Sequence, residues 1–92
     1  MNVLYENDHS KGAFYVEQDG QRKAEMTYTW AGTDRIIIDH TEVDDELRGQ
    51  GVGYEMVFAS VQFAREQQIS IVPLCPFAKS VFNKYPEFKD VL

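Results

Sequence analysis

Arg48-Gly49-Gln50-Gly51-Val52-Gly53 stands between a run rich in β-branched residues, Arg35 to Val43, and a run from Tyr54 onward whose apolar positions recur at helical spacing. A glycine turn that opens a helix offers free backbone N–H groups and the positive end of the helix dipole, and both favour an anion. Glycines also admit positive φ and let a ligand approach the backbone without a Cβ in the way, while Arg48 adds charge beside them. The hexapeptide lacks the Lys-Ser/Thr pair of a P-loop and is not the Gly-x-Gly-x-x-Gly dinucleotide fingerprint. Taken alone, it reads either as a phosphate site or as a tight turn into a helix.

Upstream, Arg35 to Val43 reads as the central strand, with Ile36, Ile37 and Ile38 pointing to burial on both faces. Period two puts His40 and Glu42 on one face and Asp39, Thr41 and Val43 on the other, so polar groups enter an otherwise buried strand. Earlier still, Ala13 to Gln18 reads as a strand, Gln18-Asp19-Gly20-Gln21 as a hairpin turn, Lys23 to Trp30 as the returning strand and Ala31-Gly32-Thr33-Asp34 as the next turn. Downstream, Tyr54, Val57, Phe58, Val61 and Ala64 mark one face of a helix of about four turns, with a polar end at Arg65 to Gln68. Ile69 to Leu74 is a short strand whose Pro73 belongs at an edge or at a bend where the sheet opens. Pro76 suits the first turn of a last helix through Lys79, Val81 and Phe82 that ends near Tyr85-Pro86. Strand, strand, strand, helix, strand, helix predicts an α/β (α+β) fold. It is a mixed, mostly antiparallel sheet with one parallel pair and two helices, its crossover right-handed. With no repeat or linker in view, residues 1–92 read as one domain.

The composition narrows the function classes. A 43% apolar fraction and 12 aromatic residues supply a core, which argues against disorder. Cys75 is the only cysteine, so the chain has no disulfide framework of its own and a reducing compartment is expected. The first residues are polar and no run approaches a membrane span, which points to the cytoplasm with no membrane partner. A net charge of −6 without a cluster of Lys and Arg disfavours nucleic acid and is compatible with a cationic or amine substrate.

The hexapeptide and its flanks resemble the GNAT superfamily of N-acyltransferases, whose pyrophosphate loop has the form Gln/Arg-x-x-Gly-x-Gly/Ala, matched by Arg48, Gly51 and Gly53. The preceding Val43-Asp44-Asp45-Glu46-Leu47 follows the family's pattern of a valine, an acidic turn and then the loop, and the order of elements fits from Ile36 to Phe88. The chain is most similar to a short subfamily of acetyl-CoA-binding proteins with a His-Thr-x-Val strand and a Cys-x-Phe/Tyr-Ala segment, here His40-Thr41-Glu42-Val43 and Cys75-Pro76-Phe77-Ala78. The resemblance implies a minimal GNAT fold with acetyl-CoA, or coenzyme A, as its ligand. Its pantetheine arm would lie where two parallel strands splay, along Thr41, Glu42 and Val43, and its phosphates on Arg48, Gly49, Gln50, Gly51, Val52 and Gly53. Lys79 is a candidate to reach the adenosine phosphates, although a solvated helix face is the commoner reading for such a lysine.

Acetyl transfer to an amine needs a neutral nucleophile, a route for its proton and donors for the developing oxyanion; it needs no metal. The tyrosine that often protonates the leaving thiolate in this superfamily aligns with Phe82, and Tyr85 lies about one turn away. Cys75 follows the second strand next to Pro76 at a helix start, a position that favours reactivity, so it is a candidate to accept the acetyl group or to protonate the thiolate. A small buried hydrophobe is its alternative reading. His40 is a candidate base at neutral pH, with Glu42 on its face of the strand. The expected function is N-acetyl transfer from acetyl-CoA to an amine on a small molecule or a protein; the alternatives are a coenzyme-binding module without turnover and an interaction domain that binds no nucleotide.

Overall fold

The computed structural model describes residues 2–92. Its elements are β1 (Leu4–Asn7), β2 (Lys11–Gln18), β3 (Gln21–Trp30), β4 (Arg35–Val43), α1 (Val52–Gln67), β5 (Ser70–Pro73) and α2 (Pro76–Lys84), with 3-10 turns at Asp45–Leu47 and Pro86–Val91. The strands form one sheet in the order β1-β2-β3-β4-β5. Neighbours are antiparallel except β4 and β5, which run parallel through the α1 crossover. The β2–β3 hairpin turns on Asp19 and Gly20, both at positive φ, the geometry that matches strand twist in a two-residue loop.

Several details differ from the sequence reading. β1 was not expected, because Leu4–Asn7 has no clean alternation and is mostly exposed. It is fastened from a distance: the Tyr28 hydroxyl donates to Asn7 Oδ1 at 2.7 Å, Trp30 Nε1 donates to the same oxygen at 2.8 Å, and Tyr5 packs on Phe63. β4 is interior but not central, since β3 holds the middle of the sheet. Ile37 is only half-buried, because just one sheet face carries helices.

That covered face holds Phe14, Val16, Ala24, Met26, Tyr28, Ile36 and Ile38, which pack with Met56, Val57 and Val61 of α1, Val81 and Phe82 of α2, and Phe88 into one contiguous core. The spacing Met56, Val57, Ser60, Val61, Ala64 is the buried stripe of α1. Ser60 meets the resulting demand for a partner by donating to the Val57 carbonyl at 2.6 Å. Among the described residues, no helix is long and apolar enough to cross a membrane.

A bulge in β4 sets which residues face the core. Ile38 pairs with Tyr28 but His40 pairs with Thr27, so Asp39 is the extra residue and the alternation slips by one. Beyond the bulge Thr41 and Val43 turn toward the helices, while His40 and Glu42 project from the open face. The grouping of His40 with Glu42 survives. Asp39 does not share a face with Thr41 and Val43, since its carboxylate accepts from Thr29 on the open side at 2.8 Å.

The C-terminal segment is clamped by Arg65, which donates to both Asp90 carboxylate oxygens, at 3.0 and 2.8 Å, and to the Glu87 carbonyl at 3.0 Å. The Arg65 hydrogen bond holds the Asp90 carboxyl below the usual aspartate range. A carboxyl whose pKa is lower in the folded state stabilises the fold above its unfolded pKa, and that stabilisation fades as pH falls through the folded value. The urea midpoint of wild type should therefore exceed that of Asp90→Asn near neutrality, with the gap closing as pH falls below the ordinary aspartate value of 3.8 and through the lower folded one; a gap independent of pH would show that the clamp does not act through this charge.

Candidate functional site

β5 leaves β4 early. Their ladder covers only Arg35–Ile38 against Ser70–Pro73, and Pro73 ends it by having no N–H to contribute. The chain then bends away. Leu74 N and Cys75 N both donate to the Ile38 carbonyl, at 3.2 and 3.1 Å, and α2 begins at Pro76. β4 continues through Asp39–Val43 with β3 on one side and an open edge on the other.

The alternation of the antiparallel ladder says which groups line that edge. Asp44 N donates to the Lys23 carbonyl at 2.8 Å, so Asp44 belongs to a hydrogen-bonded pair, and Glu42 opposite Glu25 and His40 opposite Thr27 follow in phase. Thr41 and Val43 therefore turn their peptide groups toward the cleft. Glu42 does not: its peptide groups face β3, and its carboxylate lies on the open sheet face.

At the mouth of the cleft stands the glycine loop. Gly49 and Gly51 have φ of 81° and 76°, the left-handed region where a side chain is strained. Gly51 is the N-cap of α1, and the first intrahelical bond beyond it is Glu55 N to the Gly51 carbonyl at 3.0 Å. The N–H groups of Val52, Gly53 and Tyr54 precede that bond and form the positive end of the helix. Gly53 is glycine for a different reason: a Cβ there would run into the Phe77 ring of α2. The two helix starts thus converge.

A depression of about 560 Å³ lies between them, lined by Val43, Arg48, Gly51, Gly53, Phe77 and Lys84 among others, a volume suited to a small organic ligand. Arg48 is largely exposed and pairs with Asp45 at 3.1 Å, a solvent-screened pair that a phosphate can replace. Lys84 is part of this lining, whereas Lys79, which the resemblance offered for the adenosine phosphates, is not. The spacing Phe77, Val81, Lys84 was the available signal, since one turn and two turns along a helix return to the same face.

Cys75 is the N-cap of α2 and is 4% exposed. Its Sγ lies 3.3 Å from Thr41 Oγ1, so the cysteine and the strand edge meet at the apex of the cleft on the helix side. His40 Nε2 lies 3.5 Å from Glu42 Oε1 on the opposite side of the sheet. The structure brings Thr41 to Cys75 and pairs His40 with Glu42, with the free β4 edge between the two pairs.

The profile described as GCN5-related N-acetyl-transferase matches residues 13–91. The chain belongs to this family. A solved structure of a GCN5-like putative N-acetyltransferase from Staphylococcus aureus is 38% identical and superposes with a TM-score of 0.73, covering 98% of this chain and 87% of that one. A ribosomal-protein-alanine N-acetyltransferase from Brucella melitensis biovar Abortus, at 18% identity and a TM-score of 0.70 over 85% of this chain and 62% of that one, shares the fold. Among curated proteins, Protein NATD1 of Xenopus tropicalis is 24% identical over 92% of this chain and 79% of its own length, and the Homo sapiens protein is 26% identical over 91% and 75%. The GCN5-related fold is present here in reduced form: a meander, the α1 crossover and the α2 return.

Proposed function

We propose that this chain binds acetyl-CoA along the open edge of β4 and passes the acetyl group to an amine. The observation that carries the reading is the coincidence, in one cleft, of an unpaired strand edge and an uncapped glycine-loop helix start, the features that a pantetheine amide chain and a pyrophosphate require. Thr41 and Val43 would pair with the pantetheine; Arg48, Gly49, Gln50, Gly51, Val52 and Gly53 would take the phosphates, with Lys84, or Lys79 further out, toward the adenosine end. Acetyl-CoA supplies an activated thioester. The chain's residues bind it, exclude water at the apex and manage protons.

In the transfer the amine nitrogen forms a bond to the acetyl carbon and the carbon–sulfur bond breaks. The nitrogen gives up a proton and the departing thiolate gains one. His40, with Glu42 beside it, would receive the first proton from the open face; Cys75 on the other side would return the second, or carry the acetyl group itself as a thioester before the amine takes it, a reading supported by the two side-chain pairs on either side of the β4 edge. Replacing Cys75 with Ala should lower amine-dependent thiol release by ~10²-fold or more while acetyl-CoA affinity is retained, and intact mass spectrometry of wild type with acetyl-CoA alone tests for an acetylated Cys75. Undiminished release in the variant would remove Cys75 from the chemistry.

A second reading, a coenzyme-binding module without turnover, is favoured by the apolar burial of Phe82 at the position of the superfamily's tyrosine and by the burial of Cys75. Both readings require that acetyl-CoA bind and that Arg48→Ala weaken it in isothermal titration. Thiol release with added amine separates them.

A further inference from the structure

From the bare face of the sheet we infer that it is the docking surface for a basic polypeptide segment that brings its lysine amine to the apex of the cleft. The inference rests on the acetyl-transfer reading and names its acceptor class. Both helices pack on one side, which leaves Tyr15, Glu25, Thr27, Thr29, Ile37 and His40 on a face that no described element covers.

The charge on that face is one-sided. A depression of about 500 Å³ is lined by Glu6, Asp8, Glu25 and Asp39 against only Lys11 and Arg22, and Glu42 stands beside it, directly across the β3–β4 ladder from Glu25. Four carboxylates line the depression against two cations. Arg22 is already engaged, bound to Glu6, 3.5 Å from Glu25 and stacked 3.8 Å over the Tyr15 ring. Like charges directly opposite on neighbouring strands destabilise a sheet, so the Glu25–Glu42 pairing favours a cation laid over it.

The position of this face gives the charge its use. The bulge at Asp39 is where β4 passes from pairing with β5 to its free edge, so the acidic depression lies behind the cleft apex, and a chain lying across it places an amine beside His40. A second copy is a poor occupant, because two surfaces of the same negative sign would face one another. A polypeptide with several lysines is complementary in sign and spans carboxylates carried on β1, β3 and β4.

The test is a titration of isotope-labelled full-length protein with an oligolysine peptide, followed by amide shifts, with oligoglutamate and spermine as comparison probes and acetyl-CoA titrated into the same sample. Oligolysine should move amides of β1, β3 and β4 on this face, weaken with added salt, and lose at least about fivefold in affinity for a Glu25→Gln/Asp39→Asn double variant. The acetyl-CoA affinity and thermal midpoint of that variant should match or exceed wild type, which rules out unfolding as the cause. Absent oligolysine binding, binding unchanged in the double variant, shifts elsewhere on the molecule, equal binding of spermine, or shifts that depend on protein concentration without peptide would each overturn the inference. Oligolysine binding without acetyl-CoA binding would instead sink the coenzyme reading and leave the docking surface standing.

Discussion

Gly51→Val is expected to reduce acetyl-CoA affinity by at least about 100-fold, because several charge-assisted hydrogen bonds of roughly 1.5–3 kcal/mol each are lost together. The reason lies in the backbone rather than in space. A Cβ at Gly51 would meet nothing within 4 Å, yet φ there is 76°, where a β-branched residue costs about 1–3 kcal/mol. The chain can relieve that strain only by rotating the peptides at the start of α1, which turns the Val52 and Gly53 N–H groups away from the cleft. The fold itself should persist, with the melting temperature falling on the order of 10 °C, since the core beneath α1 is untouched. Gly51→Asn is the control: asparagine tolerates the left-handed region, so its affinity should stay within about tenfold of wild type. Wild-type affinity in the valine variant would show that phosphates do not rest on this loop.

This loop was legible in the sequence because its signal is local. Three glycines at alternate positions before an amphipathic run dictate a backbone, and the backbone dictates the exposed N–H groups. The limits of β4, Arg35–Val43, were legible for the same reason. What the sequence hid was set by pairing between distant residues. The bulge at Asp39 arises from how β3 and β4 register, and it reversed the facing of Thr41 and Val43 relative to Ile36 and Ile38. β1 is held by Tyr28 and Trp30 reaching across to Asn7, contacts more than 20 residues apart that leave no trace in the polar stretch Leu4–Asn7. The approach of Thr41 to Cys75 is likewise tertiary, made only because β5 ends at Pro73 and α2 starts where β4 runs on alone.

Phe82 offers the sharpest test of how the core and the chemistry share α2. It is 1% exposed and meets the Phe88 ring edge-on at 6.5 Å, joining α2 to the C-terminal turn that Arg65 clamps. Phe82→Ala should cost about 3–5 kcal/mol, a large part of the roughly 5–14 kcal/mol that a chain of this length commands, and lower the melting temperature on the order of 20 °C. Phe82→Tyr asks a different question, since it restores the hydroxyl that the superfamily resemblance places there. Among the described residues every buried side-chain nitrogen and oxygen already has a hydrogen-bond partner, and the groups around Phe82 are the apolar ones of the core. The new hydroxyl is therefore expected to cost about 1–3 kcal/mol unpaired, with no gain in thiol release. Because the substitution adds one oxygen and removes nothing, a tenfold rise in release would mean that the hydroxyl reaches the cleft, and that proton delivery to the thiolate, rather than acceptor binding, limits the natural chain.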